Sequence, residues 1–360
     1  MSTIRACSRP LRPGSFASST FRTSTSIQRS GPRKYGTAAA SNVVNIVEVG
    51  PRDGLQNEKG VIPVSVKSEL INRLVDAGAL LVEAGSFVSP KWVPQMAGTG
   101  EVLQGIRQKP GVHFPVLVPN QKGLENLLEL LSTHSNSPVP LTDEIAIFAA
   151  ASDAFTKANL NLATIAESLA RLEPVARAAL DKGLRVRGYV SVVVHCPFSG
   201  KVDPKVVKDV TAALRNMGCY EVSLGDTVGR ARPHEVAEVL EEVKKVVPVN
   251  MLAGHFHDTF GTAVANVMTA LSHGIRTIDA SVGGLGGCPY SPGATGNVAT
   301  EDVLYALKDS EYSVAGGVNG TIDLDKMVNI GWWISEQLGR ESISRAGRGV
   351  KARREREKKQ

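Results

Sequence analysis

At 360 residues, 42% hydrophobic and 21% charged, the chain is long enough for one large core and has the composition of a globular protein. Its formal charge of +6 sits at the ends: residues 1–40 carry six Arg, one Lys and no acid, residues 345–360 carry eight Lys or Arg against two Glu, and the body between them is at −7. That distribution argues against a nucleic-acid-binding core, which needs a basic folded face, and no apolar run reaches the ~18–20 residues that cross a bilayer, so no membrane insertion is expected.

The first 40 residues also hold thirteen Ser or Thr, and the first acid is Glu48. This is the composition of a mitochondrial transit peptide; a secretory signal would need a longer unbroken apolar stretch. The expectation is a disordered presequence over 1–40 and a protein of the mitochondrial matrix, the plainer alternative being a solvated basic tail. From residue 43 short β-rich apolar runs alternate with amphipathic segments. The runs lie at 45–49, 80–84, 113–118, 144–149, 185–194, 220–224, 250–257 and 277–282, starting 27 to 41 residues apart. That spacing fits one strand, one helix and two loops per unit. Helical periodicity fills intervals at 67–77, 123–131, 165–182, 204–217, 233–246 and 262–273.

Eight such units predict an α/β chain folded as a (β/α)8 TIM barrel over 43–309. A doubly wound sheet competes with it, but no G-x-G-x-x-G follows the first run; the charged turn Gly50-Pro51-Arg52-Asp53-Gly54 stands there instead. Residues 132–142 read as a surface loop. A C-terminal helical extension is expected over 310–342, its helix at 323–338, and a basic disordered tail over 343–360. Cys7, Cys196, Cys219 and Cys288 include no C-x-x-C pair, which points to reduced thiols.

In such a barrel function collects at the C-terminal ends of the strands. There the first run ends in Arg52-Asp53, the second in Glu83 and the sixth in Gly225-Asp226-Thr227, while the seventh carries His255-Phe256-His257-Asp258. Two residues apart on a strand, His255 and His257 share a face. With Asp53 as the carboxylate and an amide oxygen from Asn297, they compose a divalent-cation site whose mixed N and O donors suit Mg²⁺, Mn²⁺ or Zn²⁺. A lone His-x-His is weak evidence; its place on the seventh strand strengthens it. After the eighth run, six glycines from Gly283 to Gly296 surround Cys288. So much glycine suits a mobile connection with a thiol near the mouth, the alternative being a buried, inert thiol.

Several stretches resemble the motifs of hydroxymethylglutaryl-CoA lyases, in that family's order, over roughly residues 43–340. They are Gly50-Pro51-Arg52-Asp53-Gly54-Leu55-Gln56-Asn57, Ser86-Phe87-Val88-Ser89-Pro90-Lys91-Trp92, Ser223-Leu224-Gly225-Asp226-Thr227, Gly286-Gly287-Cys288-Pro289-Tyr290 and Gly296-Asn297-Val298-Ala299-Thr300-Glu301-Asp302. The resemblance implies a divalent-metal-dependent carbon–carbon lyase that cleaves 3-hydroxy-3-methylglutaryl-CoA to acetoacetate and acetyl-CoA, as in leucine degradation and ketone-body formation. It implies that Asp53, His255, His257 and Asn297 hold the cation, Mg²⁺ or Mn²⁺ being favoured. It implies that Arg52 stabilises the enolate forming on the thioester carbonyl and that Cys288 is the acid/base group. Further catalytic roles fall to His255, Asp226 and Glu83, substrate contacts to Arg52, Gln56 and Glu301, and the family suggests an acyl-CoA substrate and a homodimer.

Two places depart from the family pattern. Glu83-Ala84-Gly85-Ser86 lacks the threonines that the family has between the glutamate and the serine, and Gly85, on the same face as Glu83, predicts a wider or wetter pocket there. His195-Cys196-Pro197-Phe198-Ser199-Gly200 places an imidazole where the family has glycine and a hydroxyl where it has a carboxylate. These changes leave open a different 3-hydroxyacyl-CoA. A related Claisen-condensing synthase, or a barrel that binds acyl-CoA without turnover, are the rival readings.

Overall fold

The structure is a computed structural model and describes residues 42–134, 138–287 and 296–360. Its centre is a ring of parallel strands: β1 (Val43–Glu48), β2 (Gly85–Ser86), β3 (Val116–Leu117), β4 (Glu144–Ala150), β5 (Arg185–Ser191), β6 (Glu221–Asp226), β7 (Leu252–Phe256) and β8 (Thr277–Ala280). In space the order is β1-β8-β7-β6-β5-β4-β3-β2, every neighbouring pair parallel. The ring closes just ahead of β2, where Glu48 pairs with Val82. There the Glu48 N–H donates to Leu81 O and the Glu83 N–H to Glu48 O, each at 2.9 Å. This is the predicted (β/α)8 barrel. The run at 80–84 does enter the ring, but through single bridges, with the regular strand shifted to Gly85–Ser86.

Strands covered on both faces read as nearly continuous apolar runs, as in the fully buried β7. Around them lie α1 (Val64–Asp76), α2 (Thr99–Gly105), α3 (Gln121–Thr133), α4 (Asp153–Leu160), α5 (Ile165–Asp181), α6 (Pro204–Asn216), α7 (Pro233–Val243), α8 (Ala263–Ser272) and α9 (Thr300–Leu307). The sequence reading missed α2, α4 and α9, each no more than eight residues long, too short for a 3.6-residue period to stand out. β5 stops three residues before the predicted end because Val192 turns left-handed at φ 56°, a conformation a β-branched residue adopts only under constraint. Thr227 Oγ1 accepts the Val192 N–H at 2.9 Å and holds it there.

After α9 the chain adds a short strand, Ser313–Val314, to the outer edge of β1, then α10 (Leu324–Gln337) and α11 (Arg345–Glu357). The segment 343–360 was expected to be disordered, and α11 corrects that. Ser344 caps it by accepting the Gly347 N–H at 2.9 Å. Its inner face packs on α10: Lys351 Nζ lies 3.6 Å from the Trp332 ring centroid, and Arg354 reaches Asn329 at 2.8 Å and Asp325 at 2.5 Å. These partners are 19 to 29 residues away in sequence, so composition alone shows only a charged tail.

Candidate metal centre

The chain leaves β1 through a single π-turn, Gly50–Gly54, whose five residues are all buried. π-turns are rare and concentrate at functional sites. Gly54 is required there, because a Cβ would stand 2.8 Å from both Leu285 Cβ and Ser281 Oγ. The turn aims Arg52 and Asp53 at the barrel mouth. Arg52 donates from Nε to Glu83 Oε2 at 2.8 Å and from Nη1 to Asp53 Oδ1 at 2.7 Å. Gln56 also donates to Asp53 Oδ1, at 2.6 Å.

Across the mouth, Nε2 of His255 and Nε2 of His257 lie 3.8 and 3.9 Å from Asp53 Oδ2. These distances are too long for hydrogen bonds. Donors ~2.0–2.2 Å from one cation stand about 3–4 Å from each other, so the three groups face a common centre. Their ligand atoms all fall within 4.8 Å of one another. The fit is supported from beneath as well. His255 Nδ1 is 3.1 Å from Asp279 Oδ2, which turns Nε2 to the centre, a recurrent arrangement in metal sites. Asp279 is held by Ser223 Oγ at 2.7 Å and Arg187 Nη2 at 2.8 Å, and Arg187 also donates to Glu221 at 2.8 Å.

Charge follows geometry. Burial opposes the Asp53 charge, but Arg52, then His255, His257 and the Asn297 amide, bring its pKa down to about 2. Burial, then the neighbouring His255, lowers His257 to about 4, so its imidazole is neutral with a lone pair to give. His255 moves the other way: burial opposes its charge, yet the Asp279 hydrogen bond and the Asp53 and Asp279 carboxylates raise it. Among the described residues Glu83 Oε1 and His257 Nδ1 are buried without a partner.

The remaining predicted residues fall into distinct places. Asn297 reaches the cluster, but its amide nitrogen and not its oxygen faces Asp53, donating to Oδ2 at 2.8 Å and to Leu285 O at 3.2 Å. Gln56 is engaged with Asp53. Asp226 is buried with its carboxylate turned to its own loop, accepting the N–H groups of Gly229, Arg230 and Ala231 at 2.9–3.3 Å; burial raises its pKa to about 6. Glu301 is not brought to the cluster. Its carboxylate accepts the Gly283 N–H at 2.9 Å and lies against Gly331 of α10. The wider pocket at Gly85 is also absent, since Thr99 Oγ1 stands 2.7 Å from where a Cβ would be. His195 Nε2 is 3.3 Å from Glu235, and Ser199 Oγ is 3.1 Å from Ser152 Oγ. Cys288 and residues 1–40 lie outside the described residues.

Sequence reasoning missed Glu48, Arg187, Tyr189, Ser223 and Asp279. Glu48 Oε1 accepts the Gly50 and Val282 N–H groups at 2.9 Å and Oε2 accepts Thr300 Oγ1 at 2.6 Å, tying β1, β8 and α9 together. Tyr189 donates to Glu83 Oε2 at 3.2 Å. The available signal was a charge in the middle of an apolar strand: Arg187 and Asp279 can be accommodated there only by facing each other inside the ring.

A closed parallel barrel with a buried Asp–His–His cluster and a fixed guanidinium at its C-terminal mouth is the frame of a metal-assisted barrel enzyme. The HMGL-like family model matches residues 43–334, and the chain belongs to that family. It is 50% identical over 310 residues to a 3-hydroxy-3-isohexenylglutaryl-CoA/hydroxy-methylglutaryl-CoA lyase of Pseudomonas aeruginosa, covering 86% of this chain and 98% of the relative. It is 49% identical over 308 residues to the mitochondrial hydroxymethylglutaryl-CoA lyase of Bos taurus, covering 85% and 89%. The crystal structure of hydroxymethylglutaryl-CoA lyase from Pseudomonas aeruginosa superposes with a TM-score of 0.80 at 49% identity, covering 87% of this chain and 99% of that one.

Proposed function

We infer that this chain is a divalent-cation-dependent carbon–carbon lyase that cleaves 3-hydroxy-3-methylglutaryl-CoA to acetoacetate and acetyl-CoA. The observation that carries this reading is the convergence of Asp53, His255 and His257 beside Arg52, in a chain half identical to lyases named for that substrate. Cleavage between C2 and C3 of the acyl chain needs three things: loss of the C3 hydroxyl proton, an acceptor for the electron pair released onto the thioester, and a proton for C2. A cation held by Asp53, His255 and His257, with Mg²⁺ or Mn²⁺ preferred, supplies the Lewis acidity that brings a tertiary hydroxyl within reach of deprotonation near neutral pH.

The chain's own residues supply the rest. Asn297 completes the donor set once its amide turns its oxygen inward. Arg52, fixed by Glu83, meets the negative charge that develops on the thioester oxygen, a role worth ~3–4 kcal/mol. Cys288, by family likeness the acid/base group, delivers a thiol proton to C2, and the proton given up by the C3 hydroxyl returns to its sulfur, so no net proton is gained or lost. Gln56 steadies Asp53, and Asp226 shapes the loop after β6. An assay of acetoacetate release over a panel of 3-hydroxyacyl-CoA thioesters, with and without chelator, tests the reading. Turnover of the methylglutaryl thioester that chelator abolishes is expected; condensation of acetyl-CoA with a 2-oxo acid instead would move the chain to the Claisen synthases.

A second substrate reading is favoured by the Pseudomonas aeruginosa relative, whose name includes the isohexenylglutaryl thioester. That compound belongs in the same panel. The composition of residues 1–40 and the mitochondrial bovine relative support the mitochondrial matrix, tested by fusing those residues to a reporter. Among the described residues no helix is long and apolar enough to cross a membrane. Family likeness supports a homodimer, which light scattering reads directly.

A further inference from the structure

Asp258 directly follows His257, and two strands of the candidate site meet there. His257 pairs with Asn297 in an antiparallel bridge. The Asp258 N–H donates to Gly296 O and the Val298 N–H to Phe256 O, each at 2.9 Å. The backbone carrying His257 and the backbone carrying Asn297 therefore form one short ladder, and whatever fixes Asp258 fixes both.

The Asp258 carboxylate is gripped from two sides. Oδ1 accepts the Ala263 N–H at the start of α8, at 3.0 Å. Oδ2 accepts Nη1 of Arg345, the first residue of α11. Arg345 is itself placed by a cap. Asp302 on α9 accepts Ser344 Oγ at 2.7 Å, the Arg345 N–H at 3.2 Å and the Ala346 N–H at 2.8 Å, setting a negative charge at the N-terminus of α11. Just ahead of it, the Ile343 N–H donates to Gly283 O at 3.2 Å, seating the segment on the turn after β8. The Arg345 side chain is 57% exposed, but Asp258 is only 12% exposed, so the arginine supplies the charge for a carboxylate that water barely reaches.

We propose that Arg345 is a positioning residue for the metal centre: it holds Asp258, and through the Asp258–Gly296 pair it sets the placement of His257 and Asn297. The inference rests on reading Asp53, His255 and His257 as a cation site. The C-terminal helix is then part of the machinery, although none of its residues faces the centre.

Mn²⁺ binding to the purified full chain, read from the EPR signal of free Mn²⁺, is compared for the unmodified protein, Arg345→Met, Arg345→Lys and Asp258→Asn. Melting of the cation-free proteins is followed alongside. Arg345→Met keeps the aliphatic stem and is expected to raise the Mn²⁺ Kd about 3- to 10-fold, less than the loss of a partner bonded directly to a ligand. Arg345→Lys recovers most of the affinity. Asp258→Asn weakens binding similarly, and adding Arg345→Met to it has little further effect. An unchanged Kd in Arg345→Met overturns the inference, as does a loss that lysine fails to recover or that adds in full to that of Asp258→Asn. If Arg345→Met does not fold, Asp258→Asn decides alone: unchanged Mn²⁺ affinity overturns the inference. An unmodified protein that binds no Mn²⁺ sinks the reading of the site instead.

Discussion

Replacing Asp279 probes the support beneath the metal centre. The residue is buried, and its two oxygens serve Arg187 at 2.8 Å, Ser223 at 2.7 Å and His255 at 3.1 Å. Asp279→Ala removes all three contacts. Arg187, itself buried, is left with Glu221 as its carboxylate partner, and such a break costs about 3–5 kcal/mol. That is a large part of the ~5–15 kcal/mol that holds a typical domain together. Asp279→Asn is the gentler probe. It keeps the volume and one acceptor, and because Arg187 can only donate, the NH₂ group settles on the Oδ2 side, facing Ser223 and His255, which can accept. His255 Nδ1 then loses its acceptor, the imidazole no longer holds the tautomer that leaves a lone pair on Nε2, and Mn²⁺ affinity is expected to fall about 10- to 100-fold, or ~1.4–2.8 kcal/mol. Isothermal titration with Mn²⁺ measures the affinity and urea unfolding confirms the fold. A folded Asp279→Asn protein that binds Mn²⁺ within twofold of the unmodified chain would refute the argument that this carboxylate orients His255.

Burial pushes Glu48 up to about 7, against the hydrogen bonds that favour its charge. The native state therefore binds a proton that the unfolded chain releases near pH 4.5, and this contribution to stability is present at low pH and declines as pH rises toward 7, by about 3 kcal/mol. Glu48→Gln, whose amide can donate to Thr300, should flatten that decline; an unchanged slope of unfolding free energy between pH 5 and 7 would count against it. Arg52→Met should lower kcat by about 10²–10³ with a smaller change in KM, read in steady-state acetoacetate release; an equal rise in KM with kcat intact would mean that Arg52 only binds substrate. Cys288→Ala should slow turnover while leaving Mn²⁺ affinity unchanged, and a wild-type rate in that variant would remove the thiol from the mechanism.

The barrel was legible because eight apolar runs recur at a regular interval, and His255 and His257 were legible because strand alternation puts them on one face. Asp279 and Arg187 were not, because their pairing depends on how the ring closes: Arg187 sits opposite Glu221 on the next strand and Asp279 opposite His255, and no local pattern carries that register. The placement of Glu301 was hidden for a related reason. Glu301 lies four residues after Asn297, but α9 begins between them at Thr300, and the helix carries its carboxylate toward Gly283 and α10. Gly85 shows the same limit, since the space it vacates is filled by Thr99 from α2, fourteen residues later. The order of α11 depends on Asp302, Trp332 and Asp325, and its own thirteen residues give little sign of it.

The most direct measurement is a Mn²⁺ titration of the cation-stripped protein, with acetoacetate release followed in the same samples. One site per chain should fill, with turnover rising in proportion to occupancy, and both signals should vanish in His257→Ala. Full turnover in stripped protein, or unchanged Mn²⁺ binding in His257→Ala, would contradict the account.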